Sequence, residues 1–385
     1  MLIEYGSVFI TLAVVLGLYM TWGIGANDVA NAMGTSVGSG AISIKQAIII
    51  AAIFEFSGAF IAGGNVTKTI RKGIIDPTPI LGNPEILVWG MLSSLLAAAL
   101  WLTVASWMGW PVSTTHSIIG AIVGFAMVGI GVDAVNWSKI GTIVISWVVS
   151  PMVGGTFSFL IMRSIQRFIL DTDRPFRNAQ RYAPLYIFFV GFLISLVTLF
   201  KGLKHLEIEL NIPQSFLVAL AFGSIIALIG RFLIDRLRMK EAESVHDQFA
   251  QIEKIFGVMM LFTACAMAFA HGSNDVANGI GPMAAVVSVV QSGGEMAQKS
   301  ALPLWILVVG GCGIILGLAT FGYRVIQTIG TKITELVPTR GFSAELAAAA
   351  TVVLASRTGI PVSTTHIAVG AVVGVGLARG IGALD

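Results

Sequence analysis

Long runs of apolar residues, nearly free of charge, alternate with short polar connections along the whole chain. Gly6 to Asn27, Ile86 to Met108 and Ile255 to Asn274 contain no Asp, Glu, Lys or Arg. About 20 apolar residues in a helix cross roughly 30 Å of hydrocarbon, so each run reads as a transmembrane helix. Further spans are expected at Lys139 to Ile169, Pro184 to Phe200 and Gln214 to Leu233. The pattern predicts an all-α integral membrane protein of about 10 to 12 transmembrane helices. Glycine and proline interrupt several runs, which predicts discontinuous or re-entrant helices among them.

Two motifs occur twice. Gly25-Ala26-Asn27-Asp28-Val29-Ala30-Asn31 returns 247 residues later as Gly272-Ser273-Asn274-Asp275-Val276-Ala277-Asn278. Pro111-Val112-Ser113-Thr114-Thr115-His116 returns unchanged 250 residues later at Pro361 to His366. Two motifs repeated in one order at one spacing indicate a duplication. The expected organisation is a first repeat over 1–135, linking spans with basic loops over 136–254, and a second repeat over 255–385.

Basic residues orient the copies. Arg163, Arg167, Arg174, Arg177 and Arg181 crowd one loop; Arg231, Arg236, Arg238, Lys240 and Lys254 crowd another, two spans later. Loops rich in Lys and Arg face the cytoplasm, so the second copy enters from inside, and counting back puts Met1 outside. The two repeats are then of inverted topology, a common plan for carriers that bind at the bilayer midplane. Lys68, Arg71 and Lys72 fall on the outer side and do not fit this scheme. The polar stretch from Arg236 to Lys254 is read as an extension of the helix before it.

Composition agrees: 56% of the residues are hydrophobic and 11% charged, against roughly 25% charged in a soluble domain. The net charge of +3 resides in the loops, which excludes a nucleic-acid partner. The first apolar run lacks a basic n-region and a small-residue cleavage site, so it is read as retained. Cys265 and Cys312 lie in apolar runs and are read as packing residues.

The chemistry lies in the duplicated motifs. Asp28 and Asp275 follow Gly-containing interruptions at the ends of apolar spans, and an ionisable group at membrane depth is a functional candidate. Helix N-caps would also explain one such Asn-Asp pair, though less readily two at matched positions. Asn27, Asn31, Asn274 and Asn278 add oxygens beside them, the ligand type of hard cations such as sodium. In the other motif proline ends one helix, and Ser113, Thr114 and Thr115, like Ser363, Thr364 and Thr365, open the next. Hydroxyls beside the unpaired N–H groups of a helix N-terminus make an oxyanion cradle without a buried Lys or Arg. His116 and His366 in the first turns are read as orienting hydrogen-bond partners. Glu55 lies mid-span and needs a partner, a proton or a cation. Glu345 opens an apolar run, where a plain N-terminal helix carboxylate competes with a cation role. His271 has Ile24 at the matching position of the first copy and receives no role.

These two motifs resemble those of the PiT family of inorganic phosphate transporters, over both repeats and with no motif residue missing. The resemblance implies a secondary active transporter that moves inorganic phosphate by symport with sodium and alternating access, in the plasma membrane, without catalysis. Proton-coupled or metal-phosphate symport, or another oxyanion such as sulfate, stays open. It implies phosphate at Ser113, Thr114, Thr115, Ser363, Thr364 and Thr365 with Asp28 and Asp275. It implies cations beside the phosphate, and with the asparagine oxygens already noted the expected sodium ligands are Asn27, Asp28, Asn31, Asn274, Asp275, Asn278, Glu55 and Glu345. Sodium ions are the coupling ions and no other cofactor is expected; phosphate, sodium and the lipid bilayer are the partners, and a homodimer is compatible. The short link between the repeats points to a prokaryotic form.

Overall fold

The computed structural model describes residues 2, 4–76, 78–80, 82–201, 210–237, 245–294, 302–322 and 337–380. Within these the chain is helical, and the one extended pairing is an isolated antiparallel bridge between Ile75 and Val135. Thirteen α-helices are described: α1 Gly6–Asn27, α2 Val29–Gly38, α3 Ile44–Ala62, α4 Gly64–Lys72, α5 Pro84–Met108, α6 Thr114–Gly129, α7 Trp137–Ile165, α8 Pro175–Lys201, α9 Ile212–Asp235, α10 Val245–Gln291, α11 Leu304–Gly317, α12 Pro338–Thr358 and α13 Thr364–Arg379. Among the described residues eight segments are long and apolar enough to cross a membrane, and α6 and α13 are shorter apolar helices.

Local sequence sets the boundaries. Ser43 with Gln46 and Asn211 with Gln214 form capping boxes at the starts of α3 and α9. Proline occupies the first turn of α5, α9 and α12, where its missing N–H costs nothing. The ends of α5 and α12 match: Gly109 (φ 70°) and Gly359 (φ 73°) take left-handed backbone, which glycine adopts without a Cβ penalty.

Packing is that of a protein in lipid. Residues 255–290 of α10 lie almost wholly inside, enclosed by α1, α3, α5, α8 and α12, while Trp107, Val128, Leu217 and Leu228 are exposed. Large apolar side chains on the outer surface satisfy a hydrocarbon solvent. Helices touch closely where glycine removes the side chain. A Cβ on Gly25 or Gly317 would overlap backbone of the opposing helix at the crossing of α1 and α11, and one on Gly58 or Gly272 would do so between α3 and α10.

Three expected boundaries change. α8 begins at Pro175 and carries Pro184 in its interior, so that proline does not open the span. α9 ends at Asp235, and the polar residues from Val245 to Lys254 belong to the start of α10. Ile252, Ile255 and Phe256 are buried there with a helical period that continues into the apolar run, so nothing stops the helix between them. Residues 238–244, including Arg238 and Lys240, lie outside the described residues. Finally, the helix does not open at the Asn-Asp motifs as expected. Asp28 keeps right-handed helical backbone (φ −81°, ψ −28°) between α1 and α2, and α10 passes through Gly272–Asn278 unbroken. The polar side chains there find partners on other helices, so the backbone has no need to unwind.

Candidate functional site

The loop before each Thr-Thr pair is held by an asparagine from the other motif. Asn27 donates through Nδ2 to Ser106 Oγ (3.1 Å) and Trp110 O (3.0 Å) and accepts from Val112 N–H (3.2 Å). Asn274 repeats this, donating to Ser356 Oγ (3.1 Å) and Ile360 O (3.4 Å) and accepting from Val362 N–H (3.4 Å). Both amides are therefore engaged with loop backbone, a role the sequence reading did not assign to them. Each loop then enters a new helix. Ser113 and Ser363 cap α6 and α13, accepting from the N–H of His116 and His366 at 3.3 Å each. An α-helix leaves its first amides without intrahelical acceptors, so these two N-termini carry partial positive charge.

The threonines just inside those caps meet the carboxylates. Thr114 Oγ1 donates to Asp28 Oδ2 at 2.5 Å, Thr365 Oγ1 to Asp28 Oδ1 at 3.0 Å, and Thr364 Oγ1 to Asp275 Oδ2 at 2.8 Å. Thr115 Oγ1 donates to Val362 O at 3.0 Å, reaching the opposite loop. Asn278 Nδ2 donates to both Thr114 Oγ1 (3.2 Å) and Thr115 Oγ1 (3.0 Å). Residues from the junction of α1 and α2 and from α6, α10 and α13 thus converge on one place. Asp28, Asp275, Asn278, Thr114, Thr115 and Thr364 are all buried, and Thr365 is half-buried.

Glu55 and His271 complete the group. The close contact of α3 with α10 sets Glu55 Oε2 2.8 Å from His271 Nδ1, and His271 Nε2 lies 2.8 Å from Asp275 Oδ2, one helical turn further on. All three side chains are buried. Ligand atoms of Asp28, His271 and Asp275 lie within 4.8 Å of one another. Sequence reasoning passed over His271 because the first copy has no counterpart, yet its spacing of four from Asp275 on a helix was a usable signal. Three buried oxygens here, Glu55 Oε1, Asp275 Oδ1 and Asn278 Oδ1, receive no hydrogen bond from the described residues. Buried acceptors are rarely left so, and oxygens of this kind suit a hard monovalent cation or a proton.

Glu345 lies apart from this group. It is the eighth residue of α12, not a first-turn carboxylate, and is buried. Thr35 Oγ1 and Ser36 Oγ each donate to its Oε1 at 2.5 Å, and Thr263 Oγ1 donates to its Oε2 at 2.7 Å. Its neighbours come from α2 and α10, and no described contact joins it to Asp28 or Asp275. The side chain of Asn31 lies outside the described residues. His116 packs against Trp147 and, edge to face, against His366, with ring centroids 3.8 Å and 4.8 Å away.

Buried carboxylates, an imidazole and two helix N-termini meeting inside a membrane bundle define the kind of site found in carriers of ions and small anions. The chain belongs to the phosphate transporter family, whose model matches residues 24–385. A Haemophilus influenzae protein named "Putative phosphate permease" is 51% identical over 385 residues, covering 99% of this chain and 91% of its own length. The Arabidopsis thaliana protein "Inorganic phosphate transporter 2-1, chloroplastic" is 44% identical over 394 residues, covering 95% of this chain and 65% of its own. Among solved structures, "The sodium-dependent phosphate transporter" superposes with a TM-score of 0.90 at 40% identity, covering 98% of this chain and 92% of that one.

Proposed function

We propose that this protein is a multi-pass plasma-membrane carrier that imports inorganic phosphate together with sodium by alternating access. It is a transporter and not an enzyme. The observation that carries the reading is the convergence of threonines from both Pro-Val-Ser-Thr-Thr-His motifs on Asp28 and Asp275, beside buried oxygens that lack a donor among the described residues. Phosphate is assigned to the two helix N-termini, where Thr114, Thr115, Thr364 and Thr365 exchange their carboxylate or carbonyl acceptors for phosphate oxygens, with Ser113 and Ser363 fixing the helix starts. Sodium is assigned to oxygens of Asp28, Asp275, Glu55 and Asn278. Asn27 and Asn274 serve by holding the loops, and Glu345 belongs to a separate buried cluster.

Charge explains why the two solutes travel together. A phosphate dianion next to Asp28, Asp275 and Glu55 meets strong repulsion in a low-dielectric interior, which cations at the same carboxylates remove. Binding of each therefore favours the other, and neither crosses well alone. The repeats 1–135 and 255–385 are read as inverted copies. At 16 residues each, α6 and α13 span about 24 Å at 1.5 Å per residue, short of a bilayer core, which supports a re-entrant role for them. A site between such copies opens to either side as one moves against the other. A homodimer is compatible with this arrangement.

One feature favours a second coupling ion: the His271 ring lies between Glu55 and Asp275, each of its nitrogens 2.8 Å from a carboxylate oxygen, a placement suited to a proton. Proteoliposome flux decides between the readings and against other classes. Saturable phosphate uptake driven by an inward sodium gradient is the expected result. Uptake driven equally by a pH gradient in sodium-free medium would transfer the coupling to protons, and voltage-following, non-saturable flux would make the protein a channel.

A further inference from the structure

Arginine collects at one end of three neighbouring helices. Arg163 and Arg167 stand at the end of α7 and in the turn of wider helix after it, Arg174 in the connection, and Arg177 and Arg181 in the first turns of α8; all five are exposed. Asp171 and Asp173 are their acidic neighbours in the same stretch, so positive charge prevails five to two. Among the described residues none of the five is ion-paired: Arg163 donates to Gln166 Oε1 at 3.2 Å, and Arg181 lies 5.8 Å from the Tyr182 ring centre. α9 brings a sixth arginine to the same level. Ile187 packs on Gly230 and Ile226 on Gly191, so continuing this antiparallel register sets Arg181 beside Arg236. Arg236 lies over the Phe232 ring, 4.3 Å from its centre.

What the arginines cap is equally informative. On α8, Arg177 and Arg181 continue at intervals of four into Leu185 and Phe189, each 50% exposed. Leu160 (57% exposed) leads into Arg163 on α7, and Leu228 and Phe232 (67% and 53%) lead into Arg236 on α9. Three exposed apolar stripes change to arginine at one height. The stripes require acyl chains, so the guanidinium groups sit at headgroup depth, where their forked donors match phosphate oxygens.

We propose that this arginine collar on α7, α8 and α9 binds the phosphate headgroups of anionic phospholipids. The occupant is lipid, because the donors are continuous with exposed apolar faces of membrane-spanning helices, and because a leaflet rich in anionic lipid attracts a polybasic face. Each arginine should contribute about fivefold to the preference for anionic over zwitterionic lipid.

The test uses the full chain in nanodiscs of phosphatidylcholine alone or mixed equally with phosphatidylglycerol, read by native mass spectrometry of retained lipid and by thermal unfolding. Wild type should retain phosphatidylglycerol selectively and unfold at higher temperature in the mixed discs. Arg163→Gln/Arg167→Gln/Arg177→Gln/Arg181→Gln should lose both differences. Should that variant fail to insert, wild type decides alone: a preference that disappears at high salt supports the collar. Absence of any preference, unchanged preference in the variant, or complete displacement of the lipid by millimolar inorganic phosphate would each overturn it.

Discussion

Thr365 donates its hydroxyl to Asp28 Oδ1 at 3.0 Å, although 337 residues of chain separate them. The first turn of α13 thereby closes on the carboxylate at the junction of α1 and α2, and Asp28 is shared between Thr114 of one motif and Thr365 of the other. A residue that joins both motifs should be the least replaceable part of the site. Asp28→Asn keeps the shape and removes the charge, so it is expected to abolish sodium-driven uptake while the protein still inserts and elutes as wild type. Uptake with normal sodium dependence in reconstituted Asp28→Asn would show that the charge does not matter.

Glu55 presents one oxygen to His271 and another that no described donor reaches. Its expected role is in coupling, so Glu55→Gln should weaken the sodium dependence of transport and leave phosphate affinity near wild type at saturating sodium. Weakened phosphate binding with unchanged sodium dependence would contradict that role.

Asn27 and Asn274 hold the loops that precede α6 and α13. Removing either amide leaves buried loop groups unpaired, which costs about 1–3 kcal/mol per site. Asn27→Ala and Asn274→Ala should therefore lower the unfolding temperature in detergent without sodium present. A variant that unfolds like wild type in sodium-free buffer but binds sodium poorly would reassign the asparagine as an ion ligand.

The α3–α10 contact that delivers Glu55 to His271 depends on Gly272, where a Cβ would overlap Glu55 backbone. Gly272→Ala should destabilise by about 1–3 kcal/mol, the usual range for overpacking. Gly257 on the same helix meets nothing within 4 Å, so Gly257→Ala is the matched control and should be neutral or slightly stabilising. Equal thermal stability of both variants would mean that the crossing does not depend on glycine.

Sequence reached the chemistry more readily than the geometry. The membrane class followed from uncharged runs, and the second motif's helix starts followed from proline and serine, because both are local effects read within a few residues. The placement of Asn27 was not readable, since its partners Ser106, Trp110 and Val112 lie 79 to 85 residues away. Glu345 looked like a helix-start carboxylate because the true start, Pro338, is followed by six mostly small or polar residues that hide the helical period. The expected helix breaks at Asp28 and Asp275 rested on glycine and asparagine, whose poor helix propensity is outweighed here by tertiary hydrogen bonds.

Both Thr-Thr pairs are expected to hold one phosphate with sodium beside it. Calorimetric binding of phosphate to purified protein, in sodium and in choline, tests it most directly. Wild type should bind phosphate in sodium and far more weakly in choline. Thr114→Ala/Thr115→Ala and Thr364→Ala/Thr365→Ala should each lose several kcal/mol in sodium, since hydrogen bonds to a charged ligand contribute about 1.5–3 kcal/mol apiece. Phosphate affinity near wild type in both paired variants, or equal affinity in sodium and choline, would contradict the account.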